Sequence, residues 1–340
     1  RNIKIIFGGN AATMTYKKLL TYSYIDYIVL DEGEKAFLDL LNALDGQKPI
    51  GSIKNLAYRD GQMLIESERE LIKDLNELPI PDFSDFDLYS YFIPEPVVSV
   101  LGTRGCFWRR CAFCTHYKSY SNKYRIMSVS RLVDHLEYYV QRGIRYFNFV
   151  DEMIPAGRYR KISEEIIKRG LQIYHYSLAK PTADFTKETF ELMYKAGCRY
   201  IIWGVESGCQ RILDLIDKGT NVRDIAKVLE YSASAGIKNH TFIIVGFPSE
   251  TKQELEETLS FLYENRKNIH AIHNGPFILH ENTPIFSNLA KYHIARAYTE
   301  RYPEILRFQA NRIEYDVTDG LSSMDAERYN LFYEKNFFDN

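Results

Sequence analysis

Cysteine is scarce and unevenly placed: the 340 residues hold five, none before position 106 and three between 106 and 114. An odd number so distributed argues against a secreted disulfide framework and fits reduced thiols that ligate a metal. Charge of one sign is also missing. With 43 basic and 45 acidic residues the formal net charge is −2, without a long run of either sign, so the chain carries no electrostatic footprint for nucleic acid or an anionic membrane. No apolar stretch approaches the roughly 18 residues that span a bilayer, and the N-terminus has no signal-peptide pattern. The expected location is cytoplasmic, with neither nucleic acid nor membrane as a partner. Tryptophan occurs twice, whereas the 26 tyrosines and 20 phenylalanines read first as a large aromatic core.

The hydrophobic pattern divides the chain. In "IKIIFGGNAAT…DYIVLDEGEKAFLDLLNAL" an apolar strand, a Gly-Gly turn, a second strand and an amphipathic helix follow one another, with Phe37, Leu38, Leu41 and Leu44 on one helix face. This is half of a doubly wound α/β domain, so residues 1–75 read as its C-terminal part, with further strands expected upstream. Within it, residues 49–70 suit a hairpin turning at Asp60-Gly61. Residues 76–96, with Pro79, Pro81, Pro94 and Pro96, read as an extended linker.

From Val97 a strand-then-helix rhythm repeats. Candidate strands lie at 97–101, 144–150, 171–178, 198–205, 238–245 and 271–279. Between the first two, Leu132, Val133, Leu136, Tyr139 and Val140 make the apolar face of a helix that Gly143 would terminate. Six βα units in series predict a parallel sheet curved into a full or partial barrel over 97–290. Residues 291–340 read as a helical cap.

In such a barrel the chemistry sits where the strands' C-terminal ends meet. The stretch "RGCFWRRCAFCTHY" follows the first strand, Asp151-Glu152 the second, Lys180 the third, Glu206 in "GVESG" the fourth and "GFPSET" (246–251) the fifth. Three thiolates from Cys106, Cys111 and Cys114 suffice for three irons of a [4Fe–4S] cube and leave one iron open. The same residues with His116 also suit a Cys3His zinc site. Cys198 and Cys209 lack ligand spacing and read as core residues. Glu206, between a buried strand and a Gly turn, is an unfavourable place for an idle carboxylate. Asp151 and Glu152 are equally suited to capping the next helix, and Lys180 to a solvated loop.

These residues resemble the radical S-adenosylmethionine (SAM) superfamily, and within it the branch with an N-terminal cobalamin-binding domain. The resemblance covers nearly the whole chain and rests on "GCFWRRCAFC", "GVESGCQRILDLIDKG", "FIIVGFPSETKQELEETLSFL", the "LPIPDF" linker and "IIFGGNAAT…DYIVLDEGE". It implies an α/β fold, a partial (β/α)6 radical SAM barrel preceded by part of a doubly wound, Rossmann-like cobalamin-binding domain. It also implies roles: Cys106, Cys111 and Cys114 as cluster ligands, Phe113 as the aromatic before the third cysteine, and Glu206 holding SAM. Asp151 or Glu152 would meet the SAM amino group, Lys180 its carboxylate, and Gly246 would admit the adenine; Gly8 and Gly9 would approach the cobalamin tail. The implied cofactors are a [4Fe–4S] cluster, SAM and cobalamin, with a reductant such as flavodoxin or ferredoxin and a small-molecule or peptide substrate.

Two departures from that family's pattern stand out. Four residues, Phe107 to Arg110, separate the first two cysteines where three are usual, and no D-x-H-x-x-G supplies a cobalt-ligating histidine. The implied activity is a cobalamin-dependent methyltransferase acting on an unactivated carbon. The alternatives are a radical cyclase, rearrangement or oxidation enzyme that transfers no methyl group, and a non-catalytic zinc module. A methylthiotransferase would need a second cysteine-ligated cluster, for which residues 1–105 offer no thiol. Trp108, Tyr117 and Tyr120 suit either a substrate pocket or packing of the cysteine loop.

Overall fold

A computed structural model of the chain describes residues 3–116, 123–299 and 313–336. Tyr117 and Tyr120 lie outside these residues. Near the N-terminus, strand β1 (Ile6–Phe7), helix α1 (Gly9–Leu19), strand β2 (Tyr27–Val29) and helix α2 (Gly33–Leu44) form a βαβα unit. Strands β1 and β2 are parallel, and the hairpin β3 (Leu56–Asp60) and β4 (Met63–Glu66) extends the sheet antiparallel in the order β1-β2-β3-β4. Helix α1 was not legible as a helix because Ala12 is its only fully buried side chain. The expected face of α2 also differs: Ala36 and Leu40 are buried, whereas Phe37, Leu38, Leu41 and Leu44 are exposed.

The second sheet contains six strands, all parallel, in the order β5-β8-β9-β10-β11-β12: β5 (Val97–Val100), β8 (Tyr146–Phe149), β9 (Tyr174–Ala179), β10 (Cys198–Glu206), β11 (Lys238–Val245) and β12 (Ala271–Pro276). Its first and last strands do not pair with each other. The sheet is therefore an open barrel, as expected of a partial (β/α)6 arrangement. Helices α3 (Val129–Val140), α4 (Ala156–Lys168), α5 (Lys187–Lys195), α6 (Gln210–Ile216), α7 (Val222–Ser234) and α8 (Lys252–Glu264) connect the strands. Their starts follow local chemistry: Ser128, Thr186 and Asn221 cap α3, α5 and α7, and Thr251 with Glu254 forms a reciprocal capping box on α8.

Period-two burial sets which side of each strand faces the helices. Along β11, Asn239, Thr241, Ile243 and Val245 are buried, while His240, Phe242 and Ile244 are only half-buried on the concave face. Trp203 of β10 is fully buried edge-on against the stacked Phe185 and Phe190, and its Nε1 donates to Asn239 Oδ1 at 2.8 Å. Beyond β12, the segment expected to be helical contains an antiparallel pair, β13 (Ile294–Ala297) and β14 (Tyr315–Val317), before helix α9 (Ser323–Asn336). The pairing follows from two short apolar-polar alternations that composition alone does not separate from helix.

Asn239 joins three elements. Its Nδ2 donates to Leu229 O (2.9 Å) and Asn268 O (2.7 Å), and its Oδ1 accepts from Trp203. Asn239→Ala would remove all three bonds and leave the buried Trp203 Nε1 without its acceptor, and urea unfolding should show a loss of about 2–4 kcal/mol.

Candidate active site

The cysteine-bearing segment is a loop with a defined neck. Strands β6 (Thr103–Arg104) and β7 (Arg125–Ile126) pair antiparallel at its two ends. Gly105 starts the loop at φ +82°, and a Cβ there would sit 2.6 Å from Lys123 O, so this turn requires glycine. Asp151, just past β8, is fully buried and accepts from Thr103 Oγ1 (2.5 Å) and Gly102 N (3.2 Å). Burial raises its pKa. Its carboxyl is thus committed to the base of the loop.

Within the loop the three sulfurs are half-buried, and Cys114 N donates to Cys111 O at 3.1 Å. Ala112, fully buried, anchors the middle: its N–H donates to Ile216 O (2.8 Å) and its carbonyl accepts from Ile285 N (3.0 Å). Phe113 and Cys111 pack against the apolar cluster around Phe247 and Phe277. The four-residue spacer is accommodated by Arg109 at φ +54° and by Trp108. The indole donates to Asp217 O at 2.6 Å, and the Lys180 ammonium lies 3.3 Å from its ring centre. Any Cβ on Gly219 would meet that ring at 2.1 Å, so Gly219 provides the space for it.

Burial pushes the Cys114 thiol up to about 12 and raises that of Cys111. Three thiols so placed become thiolates when a polycationic iron centre replaces their protons. The donor set fits a cluster. His116 is directed elsewhere: its Nδ1 lies 2.9 Å from Glu152 Oε2, a contact that raises its pKa. Among the described residues no three or more His, Cys, Asp or Glu side chains converge as a single metal ion requires. The Cys3His zinc arrangement is accordingly not formed by these four residues.

Glu206 ends β10 at φ +68° after a register shift at Gly204, and its buried carboxylate meets Lys218 Nζ at 2.7 Å. Gly204 is needed here, because a Cβ would lie 2.7 Å from both charged atoms. Burial opposes the charge on Lys218, yet Glu206 and the Cys111 sulfur hold its pKa above the usual lysine value. Lys180 moves the other way, to about 8, through burial and then the neighbouring Lys218, partly offset by Cys111 and Cys106. Two cations thus flank the sulfurs. Lys218 closes the segment "GVESGCQRILDLIDKG" but its residue type marked no role; it lies between the positive-φ residues Asp217 and Gly219, after α6.

Gly246 follows β11 at φ +71°, and the close approach its missing side chain permits is that of Ala326, whose Cβ would lie 2.3 Å from an added Cβ. Its N–H donates to Glu250 Oε2 at 2.6 Å. Gly8 and Gly9 sit apart from these residues, at the end of β1 and the start of α1, and a Cβ on Gly9 would meet nothing within 4 Å. Cys198 and Cys209 are buried, as core residues are.

Residues 100–262 match the model of the Radical SAM superfamily. A protein described as an uncharacterized methyltransferase of Pyrococcus horikoshii is 29% identical over 266 residues, covering 76% of this chain and 58% of the relative. The cytidylyl-2-hydroxyethylphosphonate methyltransferase of Streptomyces wedmorensis is 27% identical (76% and 56% covered), and the anaerobic magnesium-protoporphyrin IX monomethyl ester cyclase of Rubrivivax gelatinosus 28% (76% and 48%). The chain spans about half the length of these curated relatives. In fold it is similar to the cobalamin-dependent SAM radical enzyme OxsB, with TM-score 0.77 and 19% identity over 98% of this chain and 54% of that one. It is also similar to the radical SAM methyltransferase TsrM of Kitasatospora setae, with TM-score 0.70 and 17% identity over 89% and 61%.

Glu250 gives the site a pH signature. Burial raises its pKa from an ordinary 4.5 to about 8, and its Oε1 has no hydrogen-bond partner among the described residues. A carboxyl whose folded pKa is raised costs nothing below about pH 4.5 and destabilises progressively as pH rises toward 8. Glu250→Gln should abolish that decline, raising stability at pH 8 relative to pH 5 by on the order of 2–4 kcal/mol in thermal unfolding compared with the parent.

Proposed function

Starting from the radical SAM domain that residues 100–262 form, we propose that this protein is a cobalamin-dependent radical SAM methyltransferase acting on an unactivated carbon of a small-molecule or peptide substrate. The observation that carries the reading is the placement of the three-cysteine loop beside Lys180 and the Glu206–Lys218 pair at the C-terminal ends of the strands. When bound, the [4Fe–4S] cluster and SAM supply reductive cleavage to a 5′-deoxyadenosyl radical, and cobalamin supplies a transferable methyl group.

In this reading Cys106, Cys111 and Cys114 hold the cluster. The ammonium groups of Lys180 and Lys218 offset the charge that three thiolates bring into a buried site. Glu206, fixed by Lys218 on one carboxylate oxygen, keeps the other for a SAM amino or ribose hydroxyl group, and Lys180 meets the SAM carboxylate. Glu152, paired with His116, remains a candidate for the amino group; Asp151, fully buried and bonded to Thr103 and Gly102, serves the loop in this reading. Gly246 would lie beside the adenine. Gly8 and Gly9, at the mouth of the N-terminal βαβ unit, are the residues for the cobalamin tail. The fold similarity to OxsB over 98% of the chain, N-terminal sheet included, supports that assignment. The protein works in the cytoplasm with a flavodoxin or ferredoxin as reductant, without nucleic acid or membrane as partner; no helix among the described residues is long and apolar enough to cross a membrane.

A second reading, radical cyclisation without methyl transfer, is favoured by the cyclase relative at similar identity. Anaerobic purification with iron, sulfide and cobalamin reconstitution separates the two. The methylase reading expects stoichiometric cobalamin, and S-adenosylhomocysteine together with 5′-deoxyadenosine on reduction with SAM. Iron-loaded protein that forms 5′-deoxyadenosine but retains no cobalamin would overturn it in favour of the second.

A further inference from the structure

The neck of the cysteine loop is gripped from two directions. Asp151 holds it from the six-stranded sheet; the second grip comes from the N-terminal unit. Glu32, the residue preceding α2, has a side chain only 1% exposed. Its Oε1 accepts from Arg104 Nη1 at 2.7 Å and Arg125 Nη2 at 2.8 Å, and its Oε2 from Arg125 Nη1 at 2.8 Å and Ile72 N at 2.8 Å. Arg104 and Arg125 are cross-strand partners in the β6–β7 neck, one on each side of the loop. Both guanidiniums are nearly buried, at 8% and 10% exposure. Arg104 additionally binds the half-exposed Glu34, and Arg125 donates to Ile72 O. One carboxylate of the first sheet therefore closes both ends of the segment that carries the three cysteines.

Two features make this more than a contact between neighbours. The geometry is bidentate and charge-assisted, so it fixes orientation as well as distance. Its position in the fold is specific: Arg104 lies two residues before Cys106, and Glu32 lies at the C-terminal end of β2, the edge of the N-terminal sheet that also carries Gly8 and Gly9. A shift of the N-terminal unit has a direct path to the base of the cysteine loop.

We propose that Glu32 is a positioning residue: through Arg104 and Arg125 it sets the cysteine loop, and the cluster it holds, in register with the N-terminal unit. The assignment rests on reading the three cysteines as cluster ligands. Arg158, whose Nη2 donates to Gly102 O at 3.1 Å and Met127 O at 2.9 Å, joins the two ends from the barrel side, so loss of the Glu32 charge loosens the neck's tie to the N-terminal unit first. Both sheets keep their own cores, the N-terminal one around Ile28, Leu30 and Leu40 and the other around Phe147 and Trp203.

The test compares the parent, Glu32→Gln and Glu34→Gln proteins by hydrogen exchange with mass spectrometry, and by electron paramagnetic resonance of the reduced, iron-reconstituted proteins with and without SAM. Glu32→Gln should speed amide exchange at residues 102–104 and 125–127 by tenfold or more, and weaken the SAM-induced change in the cluster signal. Glu34→Gln should do neither. Faster exchange confined to residues 31–36 and 70–74, with the neck and the cluster signal unmoved, would show that Glu32 only fixes the N-terminal unit and overturn the proposal. Should Glu32→Gln fail to fold, Glu32→Asp is read by the same two signals. Parent protein that takes up no iron would refute the cluster reading, while the exchange result would still decide whether Glu32 controls the neck.

Discussion

The ribbon of β6 and β7 is four residues of strand, yet the geometry of the candidate site depends on it. A loop bearing three cysteines presents its sulfurs in one arrangement only if its two ends are fixed. Met127 ties one end to the core, and buried or half-buried polar groups do the rest: Asp151 through a hydroxyl and a backbone N–H, Arg158 through the carbonyls of Gly102 and Met127, and Glu32 through two guanidiniums. Such groups are costly to bury alone and strongly directional when satisfied. They fix geometry more than they stabilise the fold.

The interior of the site follows the same logic. Glu206 adopts a left-handed backbone conformation uncommon for a non-glycine residue, and its carboxylate pairs with Lys218 beside the bare Cα of Gly204. Lys180 is held over Trp108, the residue that fills the lengthened cysteine spacer. The extra residue thus brings an aromatic platform for a cation into the loop, and Gly219 makes room for it. Both lysines lie near the sulfurs.

Much of this was legible in the sequence. Six runs of apolar alternation gave the six parallel strands within a few residues, because a strand buried against helices shows its period plainly, and the residues closing those strands marked the chemical edge. The cysteine spacing and the "GVESG" turn marked two segments that the fold places at the C-terminal ends of β5 and β10. What the sequence hid depends on distant partners. Lys218 and Glu32 are unremarkable charges until folding brings Glu206 to one and Arg104 with Arg125 to the other. Asp151 reads as a candidate for the SAM amino group or for a helix cap, and its bonds to Thr103 and Gly102 appear only in the fold. The apolar stripe of α2 misled for a similar reason: in the described residues the small Ala36, with Leu40, makes the contact, and the larger side chains face outward.

The central claim is that the loop holds a cube by three cysteines and leaves one iron for SAM. Mössbauer spectroscopy of protein reconstituted anaerobically with iron-57 tests it most directly. A four-iron cluster in which SAM shifts the signal of one iron and leaves the other three unchanged is the predicted result. Four equivalent irons that do not respond to SAM, or a protein that binds zinc in their place, would contradict it.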